Sequence, residues 1–306
     1  MLAAIKKLPT CTLTKVVLIN YIAYLLKSKG YFKKKSLKGE HAFITGAGSG
    51  LGKTIAKIMA LKGACVTIGD VNLKAAEDTY KEIKALGGNA TYVFCDVSKQ
   101  DSVLKAATHS TTALGPVTIL VNNAGIVKGK EIDQLSSKDI ELTMNINLSA
   151  HFNTIRAFLP HMLKENKGHI ITISSNAGLV GVRKLTDYCA SKFGVLGLDE
   201  SLRIEMKHRG KNIKTTCICP YYINTGMFDG VKSKSWLLPI LDMKKVAERI
   251  VLAIEQEEEM LALPFLTSLI PLLRATLPVK YFDNIMEMMG VNASMDDFKG
   301  SLSAKL

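Results

Sequence analysis

The first 39 residues contain no aspartate and no glutamate, yet they hold nine lysines: Lys6, Lys7, Lys15, Lys27, Lys29, Lys33, Lys34, Lys35 and Lys38. The chain carries a formal charge of +13, so residues 40–306 keep only +4. That part lacks the strongly basic face a nucleic-acid module needs. The expectation is a basic collar beside an anionic surface and no nucleic-acid partner. A long hydrophobic run is missing too. The clean apolar stretch, Val16–Leu26, makes a helix of only ~16 Å, against a bilayer core of about 30 Å. Extending it upstream meets Lys15 and Pro9. No small-residue cleavage site comes after it, only a lysine cluster, which argues against a signal peptide. Zinc-type CxxC pairs are absent among the six cysteines, Cys11, Cys65, Cys95, Cys189, Cys217 and Cys219. They read as reduced, mostly buried thiols of a cytosol-facing protein. The N-x-S/T sequons at Asn89, Asn147 and Asn292 would then stay unmodified.

With 306 residues, 47% hydrophobic and 22% charged, the chain suits one large domain with a sizeable core and an appendage. Residues 1–37 are expected to form a monotopic or hairpin-like anchor and its basic collar. Lysines 27–38 would meet the headgroups at about 1 kcal/mol each and hold the rest of the chain on the cytoplasmic side. The plainer alternative is a short amphipathic arm packed on the protein. In residues 38–260, "HAFITGAG", "ACVTIGDV", "ATYVFCDVS", "VTILVNNAG", "GHIITISS" and "IKTTCICP" are apolar strand-like runs with helical stretches between them. Such strands are buried on both faces, and their alternation with helices makes a doubly wound, Rossmann-type parallel α/β sheet. Residues 261–306 form an apolar extension. Pro264, Pro271 and Pro278 break any single long helix there, leaving a lid, a membrane contact, a dimer surface or a packed extension of the core.

Ligands of such sheets bind beyond the carboxyl ends of the strands, and the polar clusters fall there. "TGAGSGLGK" (Thr45–Lys53) comes after the first strand and opens a helix. Gly46, Gly48, Gly50 and Gly52 let backbone approach a pyrophosphate, and the helix N-terminus offers free N–H groups. Leu51 breaks the strict GxGxxG pattern; T-G-x-x-x-G-x-G fits. Asp70 ends the next strand, where a carboxylate takes ribose hydroxyls and repels a 2′-phosphate, so NAD is expected over NADP. Lys53 and Lys74 are nearby cations that oppose this preference. Asp96 and Val97, in "CDVS", are placed toward the adenine. In "NNAG", Asn123, Ala124 and Gly125 brace a turn against the cofactor.

TGAGSGLG, NNAG, Ser175 in "ISSNAG", "YCASK" (Tyr188–Lys192) and Thr225, in this chain order, resemble the short-chain dehydrogenases/reductases over about residues 38–260. "CPYYINTGMF" and the apolar N-terminus are similar to the epidermal retinol dehydrogenase and 17-beta-hydroxysteroid dehydrogenase branch, and the ending "MDDFKG…KL" leans to the retinol side. The resemblance implies Tyr188 as general acid/base, Lys192 as its partner and a ligand of the nicotinamide ribose, and Ser175 as hydrogen-bond partner of the reacting oxygen. It further implies that Asn147 holds a proton-relay water, Asn145 being the nearby competitor, and that Thr225 meets the carboxamide. Pro220-Tyr221 stands where many members have Pro-Gly, putting an extra aromatic near the nicotinamide. His151 and His161 read as structural, with no metal-ligand pattern beside them, and no metal is expected.

Taken alone, Tyr-x-x-x-Lys is a common surface pair. Free tyrosine titrates near 10, and lowering it by about three units takes about 4 kcal/mol. An ammonium one turn away and the charge of oxidised nicotinamide supply that in a dry site. The expected function is NAD-dependent oxidation of a lipophilic alcohol, retinol to retinaldehyde foremost, with hydroxysteroids or long-chain alcohols as alternatives. The expected setting is the endoplasmic reticulum membrane or a lipid droplet, with the catalytic domain facing the cytosol, and the family likeness implies a homodimer through the helices after Asn147 and Tyr188. A non-catalytic lipid-surface scaffold is the rival of another class; it has no need of the Ser175–Tyr188–Lys192 set.

Overall fold

Phe43 and Ile44, neighbours on the first strand, are both fully buried, yet they belong to different cores. Successive strand side chains point to opposite faces, so a strand buried throughout needs a helical layer on each side. The computed structural model, which describes residues 21–300, builds that arrangement. Seven parallel strands run β1 (His41–Thr45), β2 (Cys65–Asp70), β3 (Asn89–Phe94), β4 (Ile119–Asn122), β5 (Gly168–Ile173), β6 (Ile213–Pro220) and β7 (Met260–Leu263). Their order in the sheet is 3-2-1-4-5-6-7. On one face, α1 (Gly50–Leu61), α2 (Leu73–Ala85) and α7 (Met243–Gln256) cover Ile44, Val66 and Ile218. On the other, α3 (Gln100–Leu114), α5 (Ala150–Glu165) and α6 (Thr186–His208) cover Phe43, Leu120 and Ile170. A short α4 (Ser137–Met144) joins α5 through a π-turn at Asn145–Ser149.

β1 pairs with both β2 and β4, Ile44 lying beside Ile68 on one side and Val121 on the other. The chain reverses its winding direction between β1 and β4, which opens a crevice beyond their carboxyl ends.

The six apolar runs expected as strands are β1 to β6. The seventh strand has no counterpart among them. β7 pairs Met260–Leu263 with Cys217–Pro220, so the compositional boundary at 260/261 falls inside the sheet. After it the three prolines start elements instead of merely ending them. Pro264 precedes a 3-10 turn at Phe265–Leu269, Pro271 lies in the first turn of α8 (Ile270–Thr276), and Pro278 caps α9 (Val279–Met288). Proline lacks an N–H, which a helix start does not use.

Of the expected anchor, residues 1–20 lie outside the described residues. Residues 21–28 are helical, and no helix among the described residues is long and apolar enough to cross a membrane. This stretch lies on the domain, with Tyr21 and Tyr24 against Phe265 at ring distances of 5.1 and 4.9 Å. Tyr21, Ile22 and Leu26 stay exposed. Two collar lysines are engaged by the domain: Lys27 approaches Glu258 at 3.9 Å, and Lys35 Nζ sits 2.8 Å from His169 Nδ1. Lys33 and Lys34 remain exposed.

Candidate active site

The loop after β1 makes the floor of the crevice. Gly46 has φ +63°, and a Cβ there would sit 2.9 Å from the Ala124 Cα; Gly50 has φ +53°. Both need the left-handed conformation that glycine adopts without strain. At Gly52 a Cβ would collide with the Gly46 carbonyl and the Asn123 amide, so α1 can start this close to β1 only with glycine. Ser49 gives α1 no side-chain cap, and its first turn holds no acidic residue. Its opening N–H groups are therefore left for an anion. The β4 turn is tied to this floor. Thr45 Oγ1 accepts from Asn123 N–H (2.9 Å) and Ala124 N–H (3.0 Å), and the Asn123 amide donates to Thr45 O at 2.9 Å.

Asp70 lies at the carboxyl end of β2, accepting from Gly48 N–H (2.8 Å) and Asn72 N–H (2.9 Å). The carboxylate so fixed borders the crevice. The two cations that could offset it point elsewhere: Lys53 pairs with Glu82 at 2.6 Å and Lys74 with Asp78 at 2.9 Å. Asp96 accepts from the Ser98 hydroxyl at 2.6 Å and faces the same space as Val97. Across the floor, Thr225 closes over Gly50.

The crevice widens into one cleft of ≈ 790 Å³. From the expected set, Gly46, Gly50, Leu51, Asp70, Asp96 and Val97 line its nucleotide end, and Asn123, Ala124, Gly125 and Thr225 its middle. Ser175, Tyr188 and Lys192 meet there as well. Thr45, Gly52 and Asn147 do not line it; they act from behind the wall. Asn147 Oδ1 accepts from Ile126 N–H (2.8 Å), and its Nδ2 donates to Ile126 O (2.9 Å) and Ser191 Oγ (3.2 Å). It braces the loop after β4 from a π-turn, the kind of helix defect that recurs at functional sites.

Tyr188 and Lys192 sit on α6, 5% and 3% exposed, with Lys192 Nζ 5.5 Å from the Tyr188 ring centre. Nζ donates to Ile173 O at 2.8 Å, so the cation is beside the ring, and its hydrogen bond goes to the backbone of β5. Burial lowers the Lys192 ammonium to about 8. Burial also raises the Tyr188 phenol above its ordinary value, while the Ser175 hydroxyl beside it works in the other direction. Ser175 Oγ accepts from Ala177 N–H at 3.1 Å, which fixes the oxygen, and donates only at a long 3.5 Å to Pro220 O, a bond its proton can leave to turn toward the cleft. His151 is buried and unpaired at Nδ1, and burial lowers it to about 3. It is neutral and lies behind the wall.

Other residues hold this group in place. Asp199, also on α6, accepts from Thr172 (2.9 Å, β5) and Thr215 (3.1 Å, β6), pinning the helix to the sheet. The Ser174 hydroxyl donates to Lys192 O at 2.9 Å. Neither has a local sequence signal, because the partners are remote along the chain. Tyr221, the aromatic at the departure from Pro-Gly, does enter the cleft, with Tyr222 and Phe228.

Residues 40–236 match the family model described as short chain dehydrogenase. The chain belongs to the short-chain dehydrogenase family. It is 40% identical over 270 residues to epidermal retinol dehydrogenase 2 of Mus musculus, covering 87% of each chain. A short-chain dehydrogenase/reductase from Burkholderia phymatum in complex with NAD superposes with a TM-score of 0.71 at 27% identity, over 83% of this chain and 96% of that one. A metagenomic short-chain oxidoreductase in complex with NADP superposes at 0.63 with 29% identity, over 74% and 96%. This family member is thus an oxidoreductase of CH–OH groups. Its cradle of glycines, bare helix terminus and Asp70 fits a nicotinamide dinucleotide.

Proposed function

We propose that the protein uses NAD to oxidise a lipophilic alcohol, all-trans-retinol foremost, at a membrane or lipid-droplet surface. The observation that carries the substrate class is the far end of the cleft. Beyond Ser175 and Tyr188 it is walled by Leu266, Ile270 and Leu273 and by Met286 and Met289, all from the C-terminal extension. Such a chamber favours a long apolar body, each buried methylene contributing about 0.8 kcal/mol, with its hydroxyl at the polar end. Identity to an epidermal retinol dehydrogenase supports retinol within that class.

NAD, when bound, supplies the hydride acceptor and a positive charge. The chain's own residues do the rest. Tyr188 takes the hydroxyl proton. Ser175 donates to the reacting oxygen, holding it beside the phenol. Lys192 stabilises the phenolate and would hold the nicotinamide ribose, its Nζ lying beside Gly125 on the cleft wall. Asn147 keeps an acceptor lone pair beyond its bond to Ile126, the place for a proton-relay water. Thr225, on the cleft wall, would meet the carboxamide. NAD over NADP rests on Asp70 with Lys53 and Lys74 turned away.

The test is an assay of the full chain with NAD and NADP against retinol, several steroids, a long-chain alcohol and a short one. NAD with the long apolar alcohols is expected to give the highest kcat/KM. Leu273→Trp, which overpacks the chamber, is expected to lower that value by about tenfold for retinol while leaving the short alcohol unchanged, a change of about 1.4 kcal/mol. Equal turnover of long and short alcohols by the wild type rejects the chamber as the substrate site.

We further propose that residues 1–37 attach the enzyme to anionic lipid and that two copies pair through α5 and α6. Phe152 and Ile204, exposed on those helices, support the second. Flotation with anionic liposomes is expected to fail once residues 1–37 are removed, and light scattering of that soluble form is expected to give twice the chain mass. Flotation that survives the deletion, or a monomer mass, rejects the respective reading.

A further inference from the structure

The segment Ser294–Phe298 packs behind one wall of the cleft, and its contacts converge there. Ser294 is 1% exposed and Met295 is fully buried. The Ser294 hydroxyl gives its single proton to Val291 O at 2.6 Å, so the Tyr222 phenol, 2.9 Å away, is the donor between them. Burial raises the Tyr222 phenol, which keeps it protonated and able to donate. The Tyr222 ring lies edge-on to Phe228 at 5.0 Å, and Phe228 lies edge-on to Tyr188 at 5.8 Å. Phe298 packs tilted beside the Phe228 ring at 6.3 Å and lies so close to Gly129 that a Cβ there would collide with it.

The backbone takes the same course. Lys299 N–H donates to Asp229 O at 2.9 Å. Gly230 lies flush against the Asp297 carbonyl, where no Cβ would fit. Asp296 pairs with Arg183. One short segment therefore touches the loops after β4, β5 and β6, the three loops that surround the reacting end of the cleft.

We propose that Ser294–Phe298 is a strap that fixes Tyr222 and Phe228 as one wall of the alcohol pocket against Tyr188. Ser294 and Phe298 are then positioning residues that act through Tyr222 and Phe228 without touching the reacting atoms. The kinetic part rests on the dehydrogenase reading; the mechanical part does not. It also accounts for "MDDFKG", whose acidic pair and phenylalanine tie down loops.

The experiment compares the full chain with Phe298→Ala, Ser294→Ala and the conservative Phe298→Leu, by hydrogen exchange and by kinetics. In Phe298→Ala, amides of residues 222–232 are expected to exchange at least about tenfold faster, with β1, β4 and β5 unchanged, as local opening allows. Trp236, the single tryptophan of the chain and highly exposed on the adjoining loop, is expected to lose emission anisotropy. NAD affinity is expected to stay at the wild-type value, while KM for a long apolar alcohol rises by about tenfold and kcat falls by less. Ser294→Ala is expected to give a smaller effect of the same sign, and Phe298→Leu to restore most of the loss. Unchanged exchange at 222–232, or acceleration spread evenly over the sheet, overturns the strap. Faster local exchange in a protein that oxidises no alcohol leaves the strap standing and rejects the dehydrogenase reading instead.

Discussion

Tyr188→Phe is expected to lower kcat for alcohol oxidation by about a thousandfold, the usual scale of a lost general acid/base, with NAD affinity unchanged. The substitution removes one oxygen from a side chain that is 5% exposed and leaves the ring edge-on to Phe228. Packing is preserved, so the loss reports proton transfer alone. The oxygen faces the Ser175 hydroxyl. Of the other titratable side chains lining the cleft, Cys95, Tyr221 and Tyr222 are held protonated by burial, and Lys192 Nζ donates to Ile173 O. His151 is neutral and behind the wall, and Asp70 and Asp96 belong to the nucleotide end. Stopped-flow turnover with an NAD-binding titration on the same sample checks it. A variant within about tenfold of wild type would mean that the proton leaves by another route.

The glycine floor is legible in the sequence because its requirement is local: φ +63° at Gly46 and the close approach at Gly52 demand one residue type at fixed spacing. The six other strands are legible because apolar runs between polar ends have few other uses. β7 is not, since four residues leading directly into proline carry neither a period nor a turn signal. The π-turn at Asn145–Ser149 is hidden in a pattern that continues the helix, so a motif identifies Asn147 while its engagement with Ile126 and Ser191 appears only in the fold. Asp199 escapes for a different reason: its meaning lies in Thr172 and Thr215, which only the folded sheet brings to it. The prolines of the C-terminal extension do break the helix, but the chamber their short helices build depends on tertiary packing. Lys53 and Lys74 show the converse. Proximity in sequence suggests that they offset Asp70, and ion pairs with Glu82 and Asp78 turn them away.

Lys192→Met is expected to move the rising limb of the pH–rate profile to higher pH by about one to three units, the shift an adjacent opposite charge usually supplies, and to cut the rate at pH 7 by about a hundredfold. The sign comes from the two groups together. Oxidation needs the Tyr188 phenol deprotonated, and burial holds that phenol above its ordinary value. Burial holds the Lys192 ammonium down at about 8, so Lys192 is charged at neutral pH but sheds its proton more readily than an exposed lysine. Forming the phenolate on a ring whose centre is 5.5 Å from that nitrogen favours the ammonium, and the ammonium favours the phenolate. The two titrate as a pair, with apparent values that belong to neither alone. Methionine keeps much of the side-chain volume but removes the charge. The phenolate then forms only at higher pH, and activity recovers in part as pH rises. If Lys192 served the cofactor sugar alone, the variant would show weakened NAD binding with the limb in its wild-type position. A full pH profile at saturating NAD separates the two, because saturation cancels a binding loss and leaves a shifted limb in view.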